Sequence, residues 1–298
     1  MRSLSAMDRI AEWTWLDKPA GMLRDAVSRT LRGRRLKDAL HGVWLGHPVH
    51  PAVVQAPMGA FACAGVVDAL PGRGVGERRV SQLLIKLGLL AGVPAAVAGA
   101  ADFAQGHEEQ QRTGLVHALA GTAALTSYLL SLRWRATGRE VAGTAAGWTG
   151  LGLTVAGGIL GGHLSFHQAT SVNHADAVPH IAPDEWTDLG EVADLPEGSP
   201  TRRMAGEVPV FVLRDRGELY VLADRCAHAS GPLNRGSLSW PDGSPCVECP
   251  WHGSVFRVAD GEVVHGPATA PQPTFHTRVV AGRLQVLVRR IPGVPAGG

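Results

Sequence analysis

A chain of 298 residues has room for about two domains. Its formal net charge of +2, with no stretch in which basic and aromatic residues interleave, gives no footing for a nucleic-acid partner. Four cysteines form no recognisable disulfide framework, which fits a reducing compartment.

Residues 1–45 read as a basic N-terminal tail; over residues 1–51, nine Lys or Arg stand against five Asp or Glu. Leu23, Val27 and Leu31 recur every four residues among Arg24, Arg29, Arg32, Arg34, Arg35 and Lys37. That pattern suits a short basic amphipathic helix on a membrane surface and suits a solvated tail equally. No apolar run with a small-residue cleavage site follows, so no secretory signal is read.

Over residues 46–168 the composition turns apolar. Four Ala/Gly/Leu/Val-rich segments, near 52–70, 83–101, 114–132 and 143–166, approach the roughly 20 residues that cross a bilayer as helix. With Trp44, Trp134 and Trp148 near segment ends, they predict a four-helix transmembrane bundle. Glycines four apart in the last segment (Gly143 and Gly147, Gly157 and Gly161, Gly158 and Gly162) permit close helix packing or a cavity for a flat cofactor. Cys63, within an apolar run, is expected as a buried thiol. The stretch Gly46-His47-Pro48-Val49-His50-Pro51 resembles the signature of an uncharacterised bacterial family of four-helix membrane domains. That resemblance implies topology and no chemistry.

Histidines mark the span ends. His47 and His50 precede the first, His107 precedes the third, His117 begins it, and His163 and His167 close the fourth, whereas the connectors 71–81 and 133–140 have none. Antiparallel spans would gather all six on one membrane face. His47, His50, His117, His163 and His167 are therefore candidates for a second site holding a haem, a quinone or a metal ion. Helix-end histidines bonded to water or backbone are the plainer reading.

A polar linker over 169–184 leads into residues 185–290, followed by a short C-terminal tail, 291–298. Runs at 208–213 and 218–222 read as strands joined by a turn at Arg214–Gly217, and 275–280 and 283–288 as a hairpin about Ala281-Gly282. The fold class is thus α + β and multidomain: a helical membrane bundle, then an all-β antiparallel domain. Within the latter lie Cys226-Ala-His228 and, after 20 intervening residues, Cys249-Pro-Trp-His252. Two thiolates and two imidazoles, one of each per loop, are the ligand set of a Rieske [2Fe–2S] centre. They are also that of a tetrahedral zinc site, although zinc spacings usually keep like ligands together. Cys246 is expected as a spare surface or half-buried thiol, with metal or redox use the alternative, and His265 and His276 as surface residues.

With Gly253-Ser254-Val255-Phe256, Gly231-Pro232-Leu233 and Gly266-Pro267-Ala268 alongside, residues 185–290 resemble the Rieske ferredoxin family. The resemblance implies that Cys226 and Cys249 bind an inner iron and His228 and His252 an outer one. It departs from quinol-oxidising Rieske subunits in lacking an extra Cys in each loop and in placing Phe256 where they have a Tyr. A potential in the lower part of the roughly −150 to +300 mV Rieske range is implied. Fewer than 50 residues follow His252, and Gly72-Arg-Gly74-Val-Gly76 follows no strand, so neither an oxygenase site nor a nucleotide fold is read. The expectation is an electron-transfer component rather than a stand-alone catalyst. It would be an integral membrane protein of four spans, with the cluster domain cytoplasmic and a reductase, oxygenase or respiratory component as redox partner. A quinol-oxidising subunit and a redox sensor are the competing readings.

Overall fold

The computed structural model describes residues 7–290, which fall into two compact units: a helical one, residues 7–36 and 48–170, and a β one, residues 37–47 and 171–290. The expected tail 291–298 lies outside the described residues.

In the helical unit, α1 (Asp8–Ala11) and α2 (Asp17–Thr30) precede α3 (Arg34–His41), where the chain passes to the β unit. Then come α4 (Val49–Val53), α5 (Gln55–Ala69), α6 (Val75–Phe103), α7 (Glu108–Ala136) and α8 (Glu140–Gly162), ending in a π-turn at His163–His167. Local signals start the long helices. The Gly74 N–H donates to Glu77 Oε2 (2.9 Å) ahead of α6, and the His107 N–H to Gln110 Oε1 (2.9 Å) ahead of α7, each satisfying a donor that a helix start leaves open. α5 packs on α6 and α7 on α8. Phe61 and Tyr128 stack between them, centroids 3.7 Å apart, and a Cβ on Gly150 would come within 2.9 Å of the Tyr128 ring. Glycine there lets the helices approach.

Three helical stretches, Val49–Ala69, Val75–Phe103 and Glu108–Ala136, are long and apolar enough to cross a membrane. The fourth expected segment forms α8, eight of whose 23 residues are glycine, and it is not among these three. Cys63 is exposed, not buried, because an apolar run looks the same in sequence whether it faces lipid or core. The basic stretch is no tail over its described part. Ile10, Leu16 and Ala20 bury against Leu115, with Leu23 and Leu160 packed around them, so the amphipathic face covers α7 and α8.

One polar cluster went unread in the sequence. Arg135, with a fully buried side chain, forms a two-armed ion pair with Asp68, which also takes Arg73 (2.5 Å). Ser81 (3.4 Å) and Ser131 (3.2 Å) complete its partners.

The β unit is all antiparallel in its ladders: β1 (Thr187–Glu191), β10 (Arg283–Val288) and β9 (Phe275–Val280) form one sheet, and β2 (Thr201–Ala205), β3 (Val208–Asp215) and β4 (Glu218–Ala223) a second. β5 (Ser237–Ser239), β6 (Cys246–Glu248), β7 (Val255–Arg257) and β8 (Val263–His265) form a third. Both expected hairpins close through two residues of positive φ, Arg216 and Gly217 (52° and 82°) and Ala281 and Gly282 (49° and 80°), the twist that two-residue hairpin turns require.

β3 is buried on both faces, and its period of two divides the interior. Val208, Val210 and Val212 join Val221, Leu284 and Val286 in one core. Phe211 and Leu213 join Leu222, Leu233, Val247 and Phe256 in the other, which also takes in Cys226 and Cys249. The expected linker is largely structural: Ala175, Val178 and Ala182 are buried in these cores, and α9 (Val178–Ile181) forms there. Residues 37–47 dock on the same unit, where Asp38 accepts from the Gly266 N–H (2.9 Å) and lies 2.8 Å from His265 Nδ1. His265 is therefore a partnered residue, whereas His276 is exposed as expected.

Candidate metal centre

The two Cys/His stretches fold into matching knuckles. In the first, the Cys226 N–H donates to Gly231 O (2.9 Å) and the Ser230 N–H to Cys226 O (2.8 Å). In the second, the Cys249 N–H donates to Ser254 O (2.8 Å) and the Gly253 N–H to Cys249 O (3.1 Å). The fourth residue after each Cys has positive φ, 62° at Ser230 and 75° at Gly253. Two backbone N–H groups then face each sulfur, those of His228 and Ala229 on Cys226 and those of Trp251 and His252 on Cys249. Such donors favour thiolate over thiol.

The knuckles bring the four residues together. The imidazoles of His228 and His252 lie 4.9 Å apart, edge to face at 83°. The Cys226 and Cys249 thiols share a hydrogen bond, which holds the proton on Cys226, pushing it up, and pulls Cys249 down to about 7. Both cysteines are buried, both histidines half-buried, and the neighbouring Trp251 is half exposed. A Cβ on Gly231 would sit 2.8 Å from Cys249 Sγ and 3.1 Å from the Trp251 ring, so this cradle needs glycine. Donor type and burial fit a cluster whose sulfur-ligated iron lies inward and whose nitrogen-ligated iron lies outward.

Supporting residues that the motif did not reveal hold the first knuckle. Buried Gln272 accepts from the Ala227 N–H (2.9 Å) and donates to Ala223 O (2.7 Å) and Arg225 O (2.6 Å). Asp224, whose carboxyl burial pushes up, accepts from the Asn234 N–H (2.7 Å). In the second loop, Ser254 Oγ accepts from the Ala268 N–H (2.9 Å), tying it to the Gly266-Pro267-Ala268 stretch. Cys246 is buried in β6 rather than at the surface or half-buried, and burial pushes its thiol up.

Residues 185–276 match the family model of the Rieske [2Fe-2S] domain. The anthranilate 1,2-dioxygenase ferredoxin subunit of Burkholderia cepacia is 35% identical over 104 residues, covering 35% of this chain and 93% of that protein. The chain belongs to the Rieske family. Ferredoxin CarAc of Metapseudomonas resinovorans is 31% identical to the Rieske domain over 102 residues (34% of this chain, 92% of that protein). The 3-phenylpropionate/cinnamic acid dioxygenase ferredoxin subunit of Escherichia coli is 34% identical over 91 residues (30% and 82%). Ahead of the Rieske domain, residues 46–173 match a family described as a predicted membrane protein (DUF2231).

The histidines of the helical unit separate into pairs. His50 and His117 face edge to face-plane at 6.0 Å, with Nδ1 of the first on Ala95 O and of the second on Gly157 O, each at 2.8 Å. Gly99 makes room for the His50 ring and Gly161 for that of His117. His163 and His167 stack at 4.6 Å beside Asp8, which no local sequence signal places there. His47 belongs to the segment grouped with the β unit.

Proposed function

We propose that this protein is a membrane-anchored one-electron carrier in which Cys226, Cys249, His228 and His252 hold a [2Fe–2S] cluster. The observation that carries the reading is the gradient across the site, from two buried thiols to two half-buried imidazoles 4.9 Å apart. When bound, the cluster supplies one-electron redox chemistry. The residues around it set its direction and strength. Neutral imidazoles leave the site less negative than four thiolates would, and four N–H groups on the two sulfurs stabilise added charge, both favouring reduction. Phe256 offers no hydroxyl to the same core, which supports a potential in the lower part of the Rieske range.

Similarity to dioxygenase ferredoxin subunits favours a reductase or oxygenase as partner. We read α8 as a fourth span beside the three helical stretches named above, with the Rieske domain on the cytoplasmic face, where soluble reductases are available. The facing pair His50 and His117 favours a second reading, a quinone or haem site feeding a quinol-oxidising subunit.

Anaerobic purification of the full chain tests the proposal. Iron and acid-labile sulfide in equal amounts and a Rieske-type EPR signal on reduction are expected, with the signal lost on replacing Cys226, His228, Cys249 or His252 by Ala. Stoichiometric zinc without sulfide would overturn it. A cluster potential in the upper range, or haem absorption, would favour the quinol-oxidising reading. Alkaline phosphatase activity from a fusion after Gly298 would reverse the orientation.

A further inference from the structure

The helical unit brings a second set of metal-ligating groups together, unrelated to the Rieske site. Asp8 Oδ1 lies 3.0 Å from His167 Nε2 and 3.5 Å from His163 Nε2, and one donor atom from each of the three residues falls within 4.8 Å of the others. We propose that Asp8, His163 and His167 form a binding site for a divalent first-row transition-metal ion.

Spacing is the first argument. Two ligand atoms each about 2.1 Å from one ion are separated by about 3.0 Å at a right angle and about 3.4 Å at the tetrahedral angle. The observed separations match these values. The second argument is the state of His163. Its side chain is only 6% exposed and its Nε2 points at Asp8, yet that nitrogen makes no hydrogen bond. An ion pair with Asp8 would need only His167. A second imidazole buried with its nitrogen on the same oxygen, beyond good bonding distance, costs desolvation that a shared cation would offset.

The third argument is how firmly the three groups are held. The π-turn forms as the Gln168 N–H reaches back five residues to His163 O (3.0 Å), which puts the two rings nearly parallel, 18° apart. Turns of this kind occur often at functional sites. Gln168 is pinned to α7 by Gln110 Nε2 on its carbonyl (2.8 Å) and by its own donation to Thr113 Oγ1 (3.0 Å). The Asp8 side is pinned to the same helix, since Arg112 binds Asp17 through two nitrogens (2.6 and 3.0 Å) and Ala11 O through the third (2.6 Å). The site is thus clamped from both sides by one α7 turn. Two imidazoles with one carboxylate suit Fe(II), Zn(II) or Co(II) rather than Mg(II) or Ca(II), and three protein ligands leave positions open. His167, 63% exposed at its side chain, gives access to them.

The test uses tag-free full-length protein in detergent, stripped of loosely held metal by a chelator, with the Rieske cluster followed by visible absorption. Co(II) titration should give ligand-field bands that saturate at one equivalent and are displaced by Zn(II). His167→Gln and Asp8→Asn should each weaken Co(II) binding by at least about tenfold. Cluster absorption and helical circular dichroism should stay at wild-type levels, and His167→Gln, at the exposed ligand, decides the matter should Asp8→Asn loosen α1. Absence of saturable Co(II) uptake in the wild type, or uptake unchanged in His167→Gln, would overturn the site and leave a simple carboxylate–imidazole ion pair. The readout is independent of whether the Rieske assignment stands.

Discussion

The two units bury opposite kinds of residue. The helical unit turns Leu90, Val93 and Val141 outward while burying Asp68, Arg135, Gln111, Thr113 and Ser131. The β unit does the reverse, burying Val210, Phe211, Leu213 and Phe256 and leaving its arginines and carboxylates mostly outside. Water rewards the second arrangement through apolar burial. The first is stable only where the surroundings are as apolar as the side chains, and where polarity inside the bundle meets a partner. On the proposed membrane anchoring, one chain uses two solvents. The helical unit adds a buried polar cluster to apolar contacts such as the Phe61–Tyr128 stack, whereas apolar packing carries the β unit and polar groups there tune a site.

The largest effect should come from Gly231→Ala. Its Cβ would fall 2.8 Å from Cys249 Sγ and 3.1 Å from the Trp251 ring, displacing a sulfur that the cluster would need in place. Most iron and acid-labile sulfide should be lost, as measured by metal analysis, while the helical unit keeps its circular dichroism; retention of both iron and sulfide would show that the cradle tolerates a methyl group. Next comes Asp68→Ala, which strands buried Arg135 and should cost about 3–5 kcal/mol, seen as a lowered melting temperature in detergent. A change within measurement error would mean that the polar interior is not what binds the helices.

Smaller still is Phe256→Tyr. A phenol in the core shared with Cys226 and Cys249 should raise the cluster potential by roughly 20–65 mV, the one-electron equivalent of a 0.5–1.5 kcal/mol hydrogen bond. Redox titration followed by EPR measures it, and a fall in potential would place the hydroxyl away from the sulfurs. The smallest effect concerns the rim of the β unit. Arg283 and the Gly190 N–H hold the Asp188 carboxyl below its ordinary value of 3.8. A depressed carboxyl contributes stability that is present above that value and lost as pH falls through the lowered one. Asp188→Asn should therefore melt slightly lower than wild type at neutral pH, with the difference closing in acid below the ordinary value. A difference that persists there would assign the effect to β1 and β10 geometry instead.

Much of this was legible in the sequence, for a definite reason. The hairpins 208–223 and 275–288 show in strand-forming runs and turn glycines because both signals are local, and the four proposed cluster ligands show because Cys and His alternate at a distinctive spacing. Contacts between distant residues leave no such period. Asp38 meets His265 across 227 positions, Gln272 clamps a loop 45 residues earlier, and Asp8 joins His163 and His167 from the far end of the helical unit. Ser230 also escaped notice. Only the parallel with Gly253 shows that its place in the knuckle demands positive φ. Cys63 shows a different limit, since hydrophobicity reports the wish to leave water and not the direction taken.

The Asp68–Arg135 pair sets a problem of timing during synthesis. Its members lie 67 residues apart, so at roughly 5–20 residues per second the carboxylate waits about 3–13 s for its final partner. Arg73, only five positions on, reaches the same carboxylate at 2.5 Å and is available almost at once. Arg73 can therefore neutralise Asp68 at the end of α5 before α7 is made. When Arg135 arrives, Arg73 stays on as the outer partner, 20% exposed, and the temporary contact becomes part of the finished structure.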